Sequence, residues 1–457
     1  MPSGFALRRD PPRTWWVAAG LLTAAGCGGR DSDTTPAFYP MTPHEHYEYA
    51  IREVGLERTA LGYEWITASR EALTKALRIQ PPYEEIGYLD PLEAAAMGYR
   101  VEVDRGQVLL VEVQIDGDGD AAGGQRNRIF LDLFRARDDT LRPHRHEAFA
   151  DTLAPPRLAY FVRRGGEYVV RVQPELLRGG RYRIRIVRAA SLTFPVEGRD
   201  ISSIRSVFGD PRDGGGREHH GVDIFAPRGT PVVAATDGRV RSTRTGGLGG
   251  KVVWLRDVFG QSLYYAHLDR QVVRRGDSVR AGDTLGFVGN TGNARTTPPH
   301  LHFGIYSRGP YDPFPALRAV PSTPPRLTAD TARVGAWART TVDGLRLRAT
   351  PSTRATPLRT LGRYTPMLVV GGSGRWYRVV LPDATMGFVL AQSMESAGRP
   401  LRHAELTDGG VLLDRPLASG AVVDSLGPGG HVFVLGSFGG FLYVQSPKGR
   451  AGWLVLD

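Results

Sequence analysis

Five of the chain's 11 histidines fall in three short patterns between residues 219 and 302. The patterns are His219-His220-Gly221-Val222-Asp223, Tyr265-Ala266-His267-Leu268 and His300-Leu301-His302. Imidazole nitrogens and carboxylate oxygens are ligands that zinc prefers, and a hydrolytic zinc site keeps one coordination position for water. The residue types therefore indicate a metal site suited to hydrolysis.

The spacing within two of these patterns favours side chains on one face of a strand. Residues two apart in an extended strand point to the same side, so His300 and His302 project together. By the same count His219, Gly221 and Asp223 share a face if their segment is extended. Gly221 has no side chain, which would let a metal or a substrate approach the backbone.

Combining the two segments gives a three-ligand site. A histidine and an aspartate from the first pattern, with one histidine of the third, leave a fourth position open. His267 and the remaining histidine of the pair then stay available for proton transfer.

From Ile201 to Phe314 the sequence resembles the lysostaphin/LytM-type zinc metallopeptidases, which cut peptide cross-links in bacterial cell walls. The resemblance rests on the order and spacing of motifs that are weak one by one. Besides the three histidine patterns, these motifs are Ser206-Val207-Phe208-Gly209, Ala226-Pro227-Arg228-Gly229-Thr230-Pro231-Val232-Val233-Ala234-Ala235, Asp237-Gly238-Arg239-Val240, Gly276-Asp277-Ser278-Val279 and Gly286-Phe287-Val288-Gly289-Asn290-Thr291-Gly292. The resemblance implies an antiparallel sheet with the site in a groove across it.

The same resemblance, carried over position by position, implies five site residues. These are His219, Asp223 and His302 as ligands of Zn²⁺, and His267 and His300 as catalytic residues. His220 occupies a variable position of the family motif and is given no role. The sequence departs from the family at Pro298, where glycine usually precedes the Pro-His-Leu-His-Phe run, but no reactive group is replaced.

Composition limits the partners of the chain. Its 457 residues suffice for about three domains. Lysine and arginine outnumber the acidic residues by 58 to 47, giving a net charge of +11. No nucleic-acid recognition motif or basic helix accompanies this charge, so nucleic acid is not an expected partner. An anionic polymer of the cell envelope fits better.

The N-terminal sequence is typical of a secretion signal that ends at the chain's one cysteine, Cys27. Three arginines precede an apolar stretch, and small residues lead into the cysteine. The segment resembles a bacterial lipoprotein signal, which implies that Cys27 is lipidated and attaches the protein to a membrane. Ala24 departs from that signal, which usually has leucine there. An ordinary signal peptide or a short membrane anchor is the alternative.

After a polar tether, apolar residues recur at spacings of three and four from Pro43 to about Ile79, which predicts helix that ends before Pro81-Pro82. The nearby His44 and His46 are interpreted as solvated residues rather than metal ligands.

Between residues 98 and 190 the apolar period shifts to two, which predicts a small antiparallel sandwich. It loosely resembles the accessory pre-peptidase C-terminal type of secreted peptidases. Asp116-Gly117-Asp118-Gly119-Asp120 is similar to the start of a calcium loop, but lacks the glycine and glutamate that follow in one, and is interpreted as a hairpin turn. His144 and His146 are interpreted as surface residues.

The C-terminal third repeats itself at a constant shift of 65 residues, which for example places Trp376 on Phe441 and Gly387-Phe388-Val389 on Gly452-Trp453-Leu454. The first copy resembles bacterial SH3-like modules, which commonly bind wall peptides. A spacer or a lid on the catalytic segment is the alternative role.

The sequence thus predicts a mainly β, multi-domain protein. The predicted divisions are a lipoprotein-type signal peptide at 1–27, a tether at 28–42, a helical segment at 43–90, a β-sandwich accessory domain at 91–192, a zinc metallopeptidase domain at 193–320, a linker at 321–333, and SH3-like β-barrel repeats at 334–396 and 397–457.

The leading hypothesis is an envelope-anchored zinc metalloendopeptidase that hydrolyses peptide cross-links of peptidoglycan, of the DD-endopeptidase or the glycyl-glycine type. Metal-activated water would be the nucleophile. One alternative is a non-enzymatic scaffold or activator of other wall hydrolases, which the complete ligand set argues against. A peptidase for non-wall peptides is the other. Long flanks on both sides of the catalytic segment also suggest autoinhibition as a hypothesis.

Overall fold

The structure is a computed structural model that describes residues 41–115, 128–137, 144–150, 156–321 and 323–455. Cys27 and the calcium-like segment Asp116–Asp120 lie outside these residues. The described part is mainly β, as the sequence predicts. Its helices are all too short or too polar to cross a membrane.

Two helices open the described chain, α1 (Pro43–Glu53) and α2 (Ala60–Thr74), joined by a 3₁₀ turn at Leu56–Arg58. Thr42 begins α1 with a capping box, in which its hydroxyl accepts from the Glu45 N–H and the Glu45 carboxylate accepts from the Thr42 N–H. The helical pattern ends at Thr74, five residues before the predicted end near Ile79. The chain turns into strand at that point.

Nine strands follow, and they form two sheets packed face to face. They are β1 (Leu77–Arg78), β2 (Tyr83–Leu89), β3 (Met97–Val103), β4 (Gln107–Ile115), β5 (Ile129–Arg135), β6 (Arg145–Phe149), β7 (Arg157–Phe161), β8 (Gly166–Pro174) and β9 (Gly180–Ala190). One sheet has the order β1-β3-β8-β5-β6, and the other contains β2-β9-β4-β7. Alternating buried residues from both sheets fill the core. The predicted sandwich is therefore observed, with β2 lying inside the segment that the sequence predicted as helical.

The histidine patterns lie in a separate antiparallel sheet. The strands of this region are β10 (Ile204–Ser206), β11 (Pro211–Arg212), β12 (Arg217–Glu218), β13 (Val222–Phe225), β14 (Pro231–Val233), β15 (Gly238–Thr245), β16 (Lys251–Asp257), β17 (Ser262–Gln271), β18 (Ser278–Val279), β19 (Thr284–Val288), β20 (His300–Tyr306) and β21 (Pro310–Tyr311), followed by helix α3 (Phe314–Leu317). Strands β11 and β12 form a hairpin of their own, and the main path runs β10-β13-β20-β17-β16-β15-β18. This sheet lies in the predicted peptidase domain and is called the peptidase sheet below. The segment that forms it begins and ends at one place, because the Leu192 N–H donates to the Ala316 carbonyl over 3.1 Å.

The remaining strands reproduce the predicted repeat. They are β22 (Trp337–Thr340), β23 (Leu345–Arg348), β24 (Pro357–Leu361), β25 (Pro366–Ser373), β26 (Trp376–Val380), β27 (Met386–Leu390), β28 (Met394–Ser396), β29 (Arg402–Leu406), β30 (Gly410–Leu413), β31 (Val422–Leu426), β32 (Gly430–Phe438), β33 (Phe441–Gln445) and β34 (Ala451–Val455). Adding 65 to the bounds of β26 gives those of β33, and adding 65 to those of β27 gives those of β34. The two copies therefore place their strands at the same internal positions.

The first repeat shares a sheet with the sandwich. Strand β2 pairs with β9 on one edge and with β25 on the other, where Ile86 lies opposite Gly372. The junction buries an ion pair: Arg378 donates from Nη2 to Glu85 over 2.8 Å, and their side chains are 2% and 0% exposed. The hydroxyls of Tyr83, Tyr99 and Tyr182 also donate to this carboxylate. Sandwich and first repeat are thus joined through hydrogen-bonded backbone and a satisfied buried charge.

Candidate metal centre and active site

The register of three neighbouring strands brings the histidine patterns together. Strand β20 lies between β13 and β17, and His302 is opposite Asp223 on one side and Ala266 on the other. His300 is opposite Phe225, whose ring stacks on it at a centroid distance of 5.0 Å. The sheet therefore places His300 and His302 on the same face as Asp223, and Ala266 brings the second pattern alongside.

His219 reaches the same place from outside the strand. The chain bends between β12 and β13, so His219 and Asp223 converge without one continuous extended segment. Gly221 is needed for a different reason from the predicted one. A Cβ atom there would lie 2.9 Å from the His302 ring and 2.4 Å from the carbonyl oxygen of Phe303. The space that the glycine leaves is filled by the imidazole of His302.

His219, Asp223 and His302 form a compact cluster of potential metal ligands. Asp223 Oδ1 is 3.0 Å from His219 Nε2 and 2.9 Å from His302 Nδ1, and the two nitrogens are 2.9 Å apart. This is the one group of three or more such side chains found among the described residues.

The protonation pattern of the cluster fits a bound cation. His219 donates from Nδ1 to the Val207 carbonyl oxygen over 2.7 Å. In the neutral ring Nε2 then carries a lone pair, yet it faces Oδ1 of Asp223, another acceptor. Two acceptors at this separation need a cation between them, so the three side chains fit Zn²⁺. The Val207 carbonyl is the kind of outer partner that orients metal-binding histidines.

Electrostatics favour the ionised and neutral forms that a metal requires. Burial raises the pKa of the Asp223 carboxyl, but the neighbouring imidazoles of His219 and His302 more than offset burial and hold it well below its usual range. Burial lowers the pKa of His302, against the opposing effect of Asp223. At neutral pH the carboxyl is therefore anionic and the His302 ring neutral.

His267 and His300 lie beside this cluster with their rings 5.0 Å apart between centroids. The Nδ1 atoms donate to the carbonyl oxygens of Thr291 at 2.8 Å and of Pro298 at 2.9 Å, respectively, which leaves both Nε2 atoms as acceptors in the neutral rings. Pro298 makes this contact through its carbonyl, a group that proline and glycine share. The predicted departure from the family pattern therefore costs no hydrogen bond here.

His267 has two unusual features. Burial lowers its pKa to about 4, helped by the neighbouring charges of His300 and His302. Its φ is +63°, in the left-handed region that residues other than glycine rarely adopt. The Gly249 carbonyl accepts from its N–H over 2.8 Å and holds this conformation. Such backbone strain concentrates at functional sites.

Arg212 belongs to the site, although the sequence analysis did not identify it. Its Nη2 donates to Asp223 Oδ2 over 2.8 Å and to Ser206 Oγ over 2.5 Å. The β11–β12 hairpin folds the arginine back over the site from seven residues before His219. No periodicity connects it to the histidine patterns, so only the hairpin geometry reveals it.

The site opens into a groove of about 470 Å³ whose lining residues all lie between 206 and 306. All five predicted site residues line it, as does the exposed His220. The aromatic rings of Tyr264 and Tyr306 form part of the wall of the groove. In the part of the chain that the structure describes, the helices and the repeats contribute nothing to this lining, so these contacts do not support the autoinhibition hypothesis.

Two interpretations of the other histidines are wrong. His44 is 2% exposed rather than solvated: its ring stacks on Trp65 at 4.8 Å, and its Nε2 is 2.7 Å from Gln173 Oε1. His146 is half-buried and lies 3.1 Å from the buried Asp132 carboxylate. His46 is exposed, as predicted.

Comparison with known proteins finds matches to the part of the chain that holds this site. Residues 217–313, which include all five predicted site residues, match Peptidase family M23. The chain is 37% identical over 139 residues to an L-Ala--D-Glu endopeptidase of Bacillus subtilis, covering 28% of this chain and 43% of that protein. It is 36% identical over 126 residues to a peptidoglycan DD-endopeptidase of Vibrio cholerae, covering 27% and 29%.

Among solved structures, the catalytic domain of lysostaphin from Staphylococcus simulans is 35% identical, with a TM-score of 0.23, over 24% of this chain and 88% of that one. The chain spans less than half the length of the two curated relatives described above.

Proposed function

Because residues 217–313 form a domain of peptidase family M23, we propose that the protein is a zinc metalloendopeptidase that hydrolyses peptide cross-links of peptidoglycan. The observation that carries the proposal is the convergence of His219, Asp223 and His302 beside two further histidines in one open groove. A scaffold that only binds wall material has no need of a complete ligand set with proton-transfer groups beside it.

His219, Asp223 and His302 would hold the metal. Zinc, when bound, supplies a Lewis acid that polarises a scissile carbonyl and lowers the pKa of water toward about 7. Arg212 holds the second oxygen of Asp223 through its guanidinium, which leaves Oδ1 turned toward the two histidines. The Val207 carbonyl fixes the His219 ring in the tautomer that presents Nε2.

His267 and His300 are the proposed catalytic residues. Each ring is held by a backbone carbonyl at Nδ1 and presents Nε2 to the groove. Either can take the proton of the attacking water, and the resulting imidazolium can stabilise the oxyanion or donate its proton to the leaving amine. The low pKa of His267 keeps this ring unprotonated, and hence able to accept a proton, at neutral pH.

The names of the relatives support a wall substrate, since they denote an L-Ala--D-Glu endopeptidase and a peptidoglycan DD-endopeptidase. We further propose a location in the cell envelope, with lipid attachment through Cys27 and wall-peptide binding by SH3-like repeats. Intact mass of the membrane-extracted protein tests the anchor, and an unmodified thiol at Cys27 excludes it.

The decisive experiment incubates the zinc-loaded full chain with purified wall sacculi and identifies released fragments by mass spectrometry. We expect cross-linked dimers to fall to monomers, and the masses to name the bond. A chelator should abolish cleavage and His300→Ala should slow it by about 10²–10⁴-fold, whereas His46→Ala, which changes an exposed histidine far from the site in sequence, should leave it unchanged. Tight zinc binding without any cleavage would contradict the peptidase proposal and favour the scaffold alternative.

A further inference from the structure

A second cleft, of about 510 Å³, lies between the sandwich and the peptidase sheet and shares no lining residue with the active-site groove. Five arginines line it, from the β3–β4 turn, the start of β6, the β7–β8 turn and the β20–β21 turn: Arg105, Arg145, Arg163, Arg164 and Arg308. These positions are scattered over more than 200 residues of sequence, so the fold alone assembles them. We call this surface the arginine cleft.

The positive charge of the arginine cleft is not neutralised from within. Its one acidic lining residue is Glu147. The Glu147 carboxylate already accepts from the Tyr160 hydroxyl over 2.7 Å, and it pairs with Arg135 at 3.3 Å and Arg145 at 3.5 Å. Arg135 does not line the cleft. The negative charge of Glu147 is therefore already offset by Arg135 and Arg145, and it does not neutralise the other arginines of the cleft.

Four arginines of the cleft then remain, and three of them are exposed. Arg163, Arg164 and Arg308 are exposed, and within the described ranges no acidic side chain pairs with any of them. Like charges gathered in one recess repel one another, and a bound anion relieves that repulsion.

Two features indicate that the cleft is organised rather than incidental. The Arg105 guanidinium carbon lies 3.9 Å from the centroid of the Tyr311 ring, and its Nη2 donates to the Ser307 carbonyl over 3.3 Å. These two contacts hold the Arg105 guanidinium group in place. Arg308 has φ +58° at the tip of the β20–β21 turn, a conformation better suited to glycine. A strained arginine at this position points to a use for its side chain.

We propose that the arginine cleft binds a phosphate-bearing polymer at the junction of the sandwich and the peptidase sheet. Guanidinium forks match the geometry of phosphate oxygens and bind them in pairs of hydrogen bonds. A recess between two sheets admits a chain carrying phosphate groups, whereas the flat face of a bilayer meets only its rim. This binding is independent of hydrolysis and places an anionic envelope polymer beside the proposed catalytic groove.

Isothermal titration of the full chain with short poly(glycerol phosphate) tests the proposal. The triple change Arg163→Gln, Arg164→Gln, Arg308→Gln should weaken binding by about tenfold or more, because charge-assisted hydrogen bonds are lost. A matched triple with the same charge change at exposed arginines outside the cleft, Arg274→Gln, Arg275→Gln, Arg402→Gln, should stay within about twofold. Equal weakening in both triples would overturn the proposal, because the binding would then follow net charge alone.

Further measurements identify the source of the phosphate and show whether a loss of binding comes from misfolding. Tighter binding of the polymer than of inorganic phosphate supports a polymeric ligand. Binding to phosphatidylglycerol vesicles without binding to the polymer overturns the proposal in favour of a membrane-facing surface. Arg308→Gly relieves the positive φ, so it should keep or raise the unfolding temperature while weakening polymer binding. Unchanged polymer affinity in this folded variant would exclude Arg308 from the site.

Discussion

Gly221→Ala provides a test of the proposed metal centre that removes none of its ligands. The added methyl group would lie 2.9 Å from the Cε1 and Nε2 atoms of His302 and 2.4 Å from the Phe303 carbonyl oxygen. Gly221 is not among the glycines with positive φ, so its backbone conformation accepts alanine. The substitution therefore crowds the His302 ring and the backbone of β20 at Phe303, and it removes no ligand.

The size of the effect follows from these distances. Restoring ordinary contact requires the His302 ring to move by about 0.5 Å and the Phe303 carbonyl oxygen by about 1 Å, whereas a metal site tolerates about 0.2 Å in its ligand distances. Disturbing the orientation of a ligand typically weakens metal binding by about 10–100-fold, and we expect zinc affinity to fall in that range. The crowding should also lower the free energy of unfolding by about 1–3 kcal/mol.

Competition with a fluorescent zinc chelator measures the affinity, and thermal unfolding of the metal-free protein measures the stability cost. Gly427→Ala is the matched control, because a Cβ atom there meets nothing within 4 Å and its φ is not positive. If folded Gly221→Ala bound zinc as tightly as the wild type, the proposed position of His302 in the metal centre would be refuted.

Three further predictions concern the buried ion pair, a buried histidine and the proposed catalytic residues. Arg378→Met leaves the buried Glu85 without its cation and should lower the free energy of unfolding, measured in urea, by about 3–5 kcal/mol. Adding Glu85→Gln to the same chain should restore most of this loss. Equal losses in the single and double variants would contradict the prediction. The pKa of His44 is about 4 in the folded chain and 6.5 in the unfolded one, because burial disfavours its charged form. The unfolded chain thus takes up the proton first, so stability should fall as pH drops from 6.5 to 4, by up to about 1.4 kcal/mol per pH unit. Urea titrations should show that His44→Asn removes this contribution, and an identical pH slope in both proteins would exclude it. His267→Ala and His300→Ala should each slow sacculus hydrolysis by about 10²–10⁴-fold. Zinc titration should find their metal affinity nearly unchanged, and loss of zinc binding would instead identify a ligand.

The strands of the sandwich and of the peptidase sheet could be predicted because their signal is local. Apolar residues alternate in Tyr99–Val103 and form an unbroken run of four inside Lys251–Asp257, and the structure has strands at both. Strand β2 lacks this signal, since Glu84 and Glu85 are adjacent near its start. The charge of Glu85 is satisfied by Arg378, 293 residues away, and no local pattern reports such a distant partner.

The residues of the candidate site also divide into those that local sequence motifs predict and those that only the fold brings there. The family motifs led to five residues that the structure brings into one groove, and their roles remain proposals. Arg212 was missed because a hairpin, rather than a period, carries it to Asp223. His44 was misjudged because its neighbours in sequence are polar, whereas its environment comes from Trp65 and Gln173.

The sandwich and the first repeat share one sheet, so the peptidase segment between them is an insertion in the topology of that sheet. The chain leaves the sandwich after β9, forms the whole peptidase sheet, and returns so that β25 pairs with β2. The segment's two ends meet at the Leu192–Ala316 hydrogen bond, so a short linker can span the gap that its removal leaves. The sandwich and first repeat would then remain as one frame into which a different catalytic unit with adjacent ends could be grafted.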